Sequence, residues 1–146
     1  MKVHLLEVAF RDYDGYRLVR HCLYEVLRKV VLDSGAMEVA LNEAVNNALL
    51  HGGCEQRHTQ VVVKMDVIAG RRLIVRVADG GGGFAHPGKA GNGHGVGETV
   101  RDGIMAESGR GLHIMQMLTD YMRYNQAGNE VLLMKRIDEA AVKIGG

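Results

Sequence analysis

The sequence predicts an α+β sandwich of two layers, a mixed or antiparallel sheet with its helices on one face. Two observations carry this. Strand-like runs adjoin one another, residues 60–68 beside 73–78 and residues 123–126 beside 131–137, so strands pair as hairpins instead of alternating with helices. Two stretches of helical period, about 16–31 and 34–51, follow directly upon each other with only a short turn between them. At 146 residues, 47% hydrophobic and 24% charged, the chain reads as one domain over 1–146 with room for a proper core.

In order, residues 3–10 form an apolar-rich first strand, placed at a sheet edge or across a partner. Val19, Cys22, Leu23, Val26, Leu27 and Val30 recur at helical spacing, with Asp12 or Asp14 to cap the start and Cys22 as a core thiol. After the turn Asp33-Ser34-Gly35, Ser34 can cap a second helix whose core stripe is Met37, Leu41, Ala44, Val45, Ala48 and Leu49, ended by Gly52-Gly53. The alternation of Val61, Val63, Met65 and Val67 against Val62, Lys64, Asp66 and Ile68 gives a strand, joined to the next by Ala69-Gly70-Arg71.

Most of the 20 glycines fall between Gly80 and Gly111, and the segment has no sustained periodicity. A long loop of this kind inside a small domain is usually functional, and residues 84–108 read as a lid. Ser108 then offers a cap for a helix opening at Gly109-Arg110-Gly111, with Leu112, Ile114, Met115, Leu118 and Tyr121 as its apolar stripe. A hairpin around Ala127-Gly128-Asn129 closes the order.

Net charge is +1, so no global field attracts nucleic acid or an anionic membrane. No signal-peptide core follows Met1 and no apolar run reaches the length of a membrane span, which predicts a cytoplasmic protein. The two cysteines have no framework spacing. Residues 83–89 match the start of a phosphate-binding loop, but Ala90 lacks the hydroxyl that the eighth position requires and glycines interrupt the helix that should follow. His51, Cys54 and His58 do not have the paired spacing of a closed zinc site.

A different set of residues is more informative. Glu43, Asn47 and His51 stand at i, i+4 and i+8, drifting only about 40° per step, and so share a helix face. Asp79-x-Gly81-x-Gly83-Phe84 follows a strand, and Gly109-Arg110-Gly111-Leu112 opens a helix. In order and spacing, these three segments resemble the N box and the two glycine boxes of the GHKL ATPase superfamily, which includes gyrase and histidine kinases. Glu43 to Gly52 and the run from Gly109 to Asp120 look most like the bacterial anti-sigma-factor serine/threonine kinases, and the resemblance extends over residues 33–137.

The resemblance implies the Bergerat fold with a glycine-rich ATP lid, ATP and Mg²⁺ as cofactors, and transfer of phosphate to a small antagonist protein by a regulator of transcription that also binds a sigma factor. It implies a nucleotide site of Asn47, His51, Asp79, Gly81, Gly83, Gly109, Arg110, Gly111 and Leu112, and a homodimer in which the apolar first strand finds its partner. The residue chemistry agrees. The Asp79 carboxylate can accept from the exocyclic amine of adenine, and the Asn47 amide oxygen suits one position on Mg²⁺ otherwise held by phosphate and water. Glu43, one turn away, is placed to act as general base on a hydroxyl, and the amides of Gly109 and Gly111 at a helix N-terminus would meet phosphate. One departure is the Asn129-Glu130 pair, which stands where relatives commonly carry Gly-Thr-Thr with a hydroxyl toward the adenine.

Overall fold

The computed structural model describes residues 1–50, 60–79 and 103–137. Their elements are β1 (Lys2–Phe10), α1 (Tyr13–Val30), α2 (Ser34–Ala48), β2 (Val61–Ile68), β3 (Arg72–Asp79), α3 (Gly103–Leu118), β4 (Tyr121–Tyr124) and β5 (Glu130–Arg136). The five strands lie in the order β1-β2-β3-β5-β4, and every neighbouring pair is antiparallel, which sets aside the mixed alternative for the described strands. β1 is an edge strand and pairs with β2 along its length, from Lys2↔Ile68 to Phe10↔Val61. One extra residue, Leu5, bulges between the His4↔Asp66 and Leu6↔Met65 pairs, and both Leu5 and Leu6 pack on the core.

Turn chemistry fixes the two hairpins. Ala69 (φ 58°) and Gly70 (φ 66°) are successive left-handed residues, the combination whose twist matches the flanking strands β2 and β3. Between β4 and β5, Gly128 takes φ 77°, and Asn125 Oδ1 accepts from the backbone N–H of Asn129 at 3.0 Å and of Glu130 at 3.1 Å.

Alternation along the strands sorts the sheet into two faces. Val61, Val63 and Met65, Leu73, Val75 and Val77, and Val131 and Leu133 meet Leu23 and Leu27 of α1 and Met37, Leu41 and Val45 of α2 in one buried core. The Tyr16 phenol donates to Asn42 Oδ1 and ties the two helices together. The other face carries charge. There Asp66, 2% exposed, accepts from His4 Nδ1 at 2.7 Å, with Arg76 Nη1 at 3.7 Å.

Four expectations change in detail. Asp12 does cap α1, accepting from Gly15 N–H at 2.8 Å, but Cys22 is exposed: the buried stripe runs through Tyr16, Leu23 and Leu27, and Cys22 lies about 100° off it. Ser34 is the first residue of α2 rather than its cap, and the preceding Asp33 makes no side-chain cap bond. α3 begins at Gly103 instead of near Gly109, because Ile104 to Glu107 are good helix formers that carry it through the glycines. β4 starts at Tyr121, two residues before the expected strand, so Tyr121 belongs to the sheet and not to the helix. Residues 84–102, the greater part of the expected lid at 84–108, and residues 51–53, the end of the motif that α2 carries, lie outside the described residues. No helix among the described residues is long and apolar enough to cross a membrane.

Candidate functional site

The polar groups of α2 gather where that helix meets α3. Asn47 is 6% exposed and Glu43, one turn earlier, is half-buried. Gly111 brings the α3 backbone against both: a Cβ there would stand 2.9 Å from Glu43 Oε1, 3.5 Å from Asn47 Nδ2 and 3.6 Å from Asn47 Oδ1. A side chain at this position would therefore push the end of the Glu43 side chain aside and rest against the Asn47 amide, and glycine leaves both where they are at the cost of about 0.5–1 kcal/mol for a glycine inside a helix. The packing of α3 on α2 offsets that cost.

The sheet supplies the opposite wall. Asp79 ends β3, 6% exposed, with its N–H donating to Asn129 O at 2.9 Å. Tyr124 ends β4 in register with Val131, which in turn pairs with Val77, so the three share one row on the helix-facing side. Tyr124 is 8% exposed. Burial pushes its phenol pKa up to about 12; the adjacent Asn47 amide lowers it, and the Asp79 charge raises it. By the alternation of their strands, Tyr124 and Asp79 both belong to the helix-facing side of the sheet. Tyr124 lay inside the expected strand at residues 123–126, but sequence reasoning did not single it out as a site residue. The available signal was period two, with Met122 and Tyr124 facing Leu133 and Val131.

One bond in this cluster is unmade. Asn47 Nδ2 is buried and has no hydrogen-bond partner among the described residues. A buried amide in that state costs about 1–3 kcal/mol and calls for an explanation beyond stability. A ligand that engages the amide supplies one. Among the described residues no group of three or more His, Cys, Asp or Glu could hold a metal ion.

A family model described as the histidine kinase-like ATPase domain matches residues 11–135. The chain belongs to this family. No match is found among the curated proteins. The histidine kinase-like ATPase family supports an ATP-binding, kinase-like function, and the five-stranded antiparallel sheet with its helices agrees with the fold.

Within this histidine kinase-like ATPase domain, the structure brings together Glu43, Asn47 and Gly111, while Asp79 stands at the end of β3 on the helix-facing side of the sheet. Gly109 and Gly111 lie inside α3, not at its N-terminus, so their amides belong to the helix ladder and the expected N-terminal amide contact is not present at these two positions. Arg110 is exposed, while Leu112 is 2% exposed and part of the core. His51, Gly81 and Gly83 fall outside the described residues, as do Cys54 and His58.

Proposed function

We propose that this domain is a cytoplasmic Mg-ATP-dependent protein serine/threonine kinase that acts as an anti-sigma regulatory switch and phosphorylates a small antagonist protein. The observation that carries the reading is the Glu43 carboxylate, held at the α2–α3 contact beside Asn47. A domain that only binds nucleotide needs Asn47 and Asp79; it has no need of a carboxylate one turn from the metal ligand.

In this reading Asp79 accepts from the adenine amine, and Asn47 Oδ1 holds Mg²⁺ together with the phosphates. Bound Mg²⁺ would neutralise charge on the transferring phosphoryl group. Glu43 takes the proton from the incoming serine or threonine hydroxyl. Arg110 adds positive charge on the exposed side of α3.

The experiment is phosphotransfer from labelled ATP to a protein captured with the domain from its own cell, run beside nucleotide titrations. Glu43→Gln keeps the size and polarity of the side chain but removes the base, so transfer falls by about 10² to 10⁴, a typical general-base contribution. ATP affinity changes by less than about tenfold, because the base touches the hydroxyl and not the adenine. Transfer at the wild-type rate in Glu43→Gln would remove the catalytic role. ATP binding by the wild type with no transfer to any captured protein favours the rival from another class, a non-catalytic module whose bound nucleotide shapes a protein-binding surface.

A further inference from the structure

We propose that Asn125 is a positioning residue for adenine recognition: its side-chain amide fixes the Asn129 peptide, and the Asn129 carbonyl in turn holds Asp79, the last residue of β3, where its carboxylate meets the adenine amine. The inference rests on the ATP-binding reading above and adds a residue to it.

Each link in this relay is a hydrogen bond of ordinary length. Asn125 Oδ1 accepts from the backbone N–H groups of Asn129 at 3.0 Å and Glu130 at 3.1 Å, so two donors fix which end of the amide is the oxygen. The other end then needs an acceptor. Asn125 Nδ2 finds it in Asn129 Oδ1 at 2.7 Å, while the Asn125 N–H donates to Glu130 O at 2.9 Å and its carbonyl accepts from Gly128 N–H at 3.0 Å. Backbone and side chain of Asn129 are thus held from one residue. The Asn129 carbonyl reaches across to β3 and accepts from Asp79 N–H at 2.9 Å.

A hairpin does not need so many bonds in order to turn. β2 and β3 are joined through Ala69 and Gly70 with one backbone bond across the turn, Arg71 N–H to Ile68 O at 3.1 Å, and with no side-chain hydrogen bond in that turn among the described residues. What differs is the neighbour. Ala78↔Glu130 is the last register pair of β3 with β5, so the bond from Asp79 to Asn129 lies one residue past that ladder. On its other side Asp79 stands opposite Val61, the first residue of β2. Without the Asn125 amide, Asn129 in its exposed turn loses the bonds that fix it, and the end of β3 loses one of its two anchors. A carboxylate held in place before the ligand arrives spends none of the binding energy on being ordered.

The test compares wild type with Asn125→Ala and Asn125→Asp in calorimetric titrations with Mg-ATP and with the triphosphate of purine riboside, which is ATP without the amine. The ratio of the two affinities reads the bond between amine and carboxylate. Asn125→Ala lowers that ratio by about three- to tenfold, the scale of one hydrogen bond, while its affinity for the amine-free nucleotide stays within about twofold of wild type. Asn125→Asp keeps both acceptor bonds to the backbone, and the Asn129 amide can turn its NH2 toward the new carboxylate, so here the ratio stays within about twofold of wild type. A second readout needs no nucleotide. In the free protein the Asp79 backbone amide exchanges with solvent deuterium faster in Asn125→Ala than in wild type, while the amide of Val75 in the middle of β3 is unchanged. If Asn125→Ala lowers the melting temperature but leaves the ratio and the Asp79 exchange at wild-type values, Asn125 only ties the hairpin and the proposal is overturned. Equal losses for both nucleotides overturn it too, as does a ratio in Asn125→Asp as low as in Asn125→Ala. A wild-type ratio near one, together with faster Asp79 exchange in Asn125→Ala, places the fault in the adenine role of Asp79 and not in the relay, and the proposal falls with that reading.

Discussion

Asp66 and Asn47 are both nearly withdrawn from water, the first on the outer face of the sheet and the second on the helix side. Asp66 sits in β2 with His4 from β1 at 2.7 Å and Arg76 from β3 at 3.7 Å, so a buried charge is answered from the strand on each side. Asn47 is a weaker polar group, yet its NH2 has no partner among the described residues. A protein that can satisfy a carboxylate on one side of a sheet has no general difficulty in satisfying an amide on the other. The difference marks Asp66 as part of the sheet's own stability and Asn47 as kept for something that binds. Gly111 fits the same contrast, since a methyl group there would fill the space beside Asn47 and Glu43.

The largest expected effect lies on the binding side. Asp79→Asn replaces an acceptor-only carboxylate with an amide that donates as readily as it accepts, at the place where the proposed function has the adenine amine read. A charged hydrogen bond is worth about 1.5–3 kcal/mol, so ATP affinity falls by roughly 10- to 100-fold in calorimetric titration. A variant that binds ATP as well as wild type would detach Asp79 from adenine and leave it a strand-end residue held by its backbone bond to Asn129.

The extent to which this contrast could be read from sequence is uneven. The hairpins were legible because period two in β2 and β3 and the Ala69-Gly70 turn are local signals. Glu43, Asn47 and Asp79 were legible because helix period and the end of a strand place them. Tyr124 and Cys22 were not. Cys22 depended on a one-residue offset in helix face, about 100°, which costs little in local propensity while moving a side chain from core to water. Tyr124 lay in the expected strand at residues 123–126 with no local signal to mark it as a site residue. The burial of Asp66 was also hidden, since its partners lie on two other strands and only the register brings them together. The start of α3 was misread for a further reason: glycines near 109 and 111 are poor helix residues in isolation, and tertiary packing on α2 overrides that preference.

A smaller effect is expected on the stability side. Asp66→Ala removes the buried partner of His4 and Arg76. Breaking a fully buried pair costs about 3–5 kcal/mol, but the His4 side chain is 50% exposed and that of Arg76 32%, so both can turn to water. The loss should therefore be about 1–2 kcal/mol in denaturant unfolding, with ATP affinity unchanged within about twofold. Loss of ATP binding in a folded Asp66→Ala would show that the two sides of the sheet are not separable.

The smallest effect carries the opposite sign and probes the contrast most directly. Asn47→Leu keeps the number of heavy atoms and the branch point of the side chain, with somewhat more volume, and removes the buried NH2. An orphan amide costs about 1–3 kcal/mol, and Leu adds apolar contact with a core that already includes Ala44, Val45 and Ala48 around it. Against this, the Tyr124 phenol loses its amide neighbour, which returns part of the gain. The net expectation is a stabilisation of about 1 kcal/mol, seen as a rise of roughly 3 °C in Tm for a domain of this size. The same variant should lose the Mg²⁺-dependent part of ATP binding. A folded state stabilised by removing Asn47 means that the amide is retained against the interest of the fold. If instead Asn47→Leu melts earlier than wild type by as much as Asp66→Ala does, Asn47 is a structural group like Asp66, and the assignment of the unmade bond to a ligand is wrong.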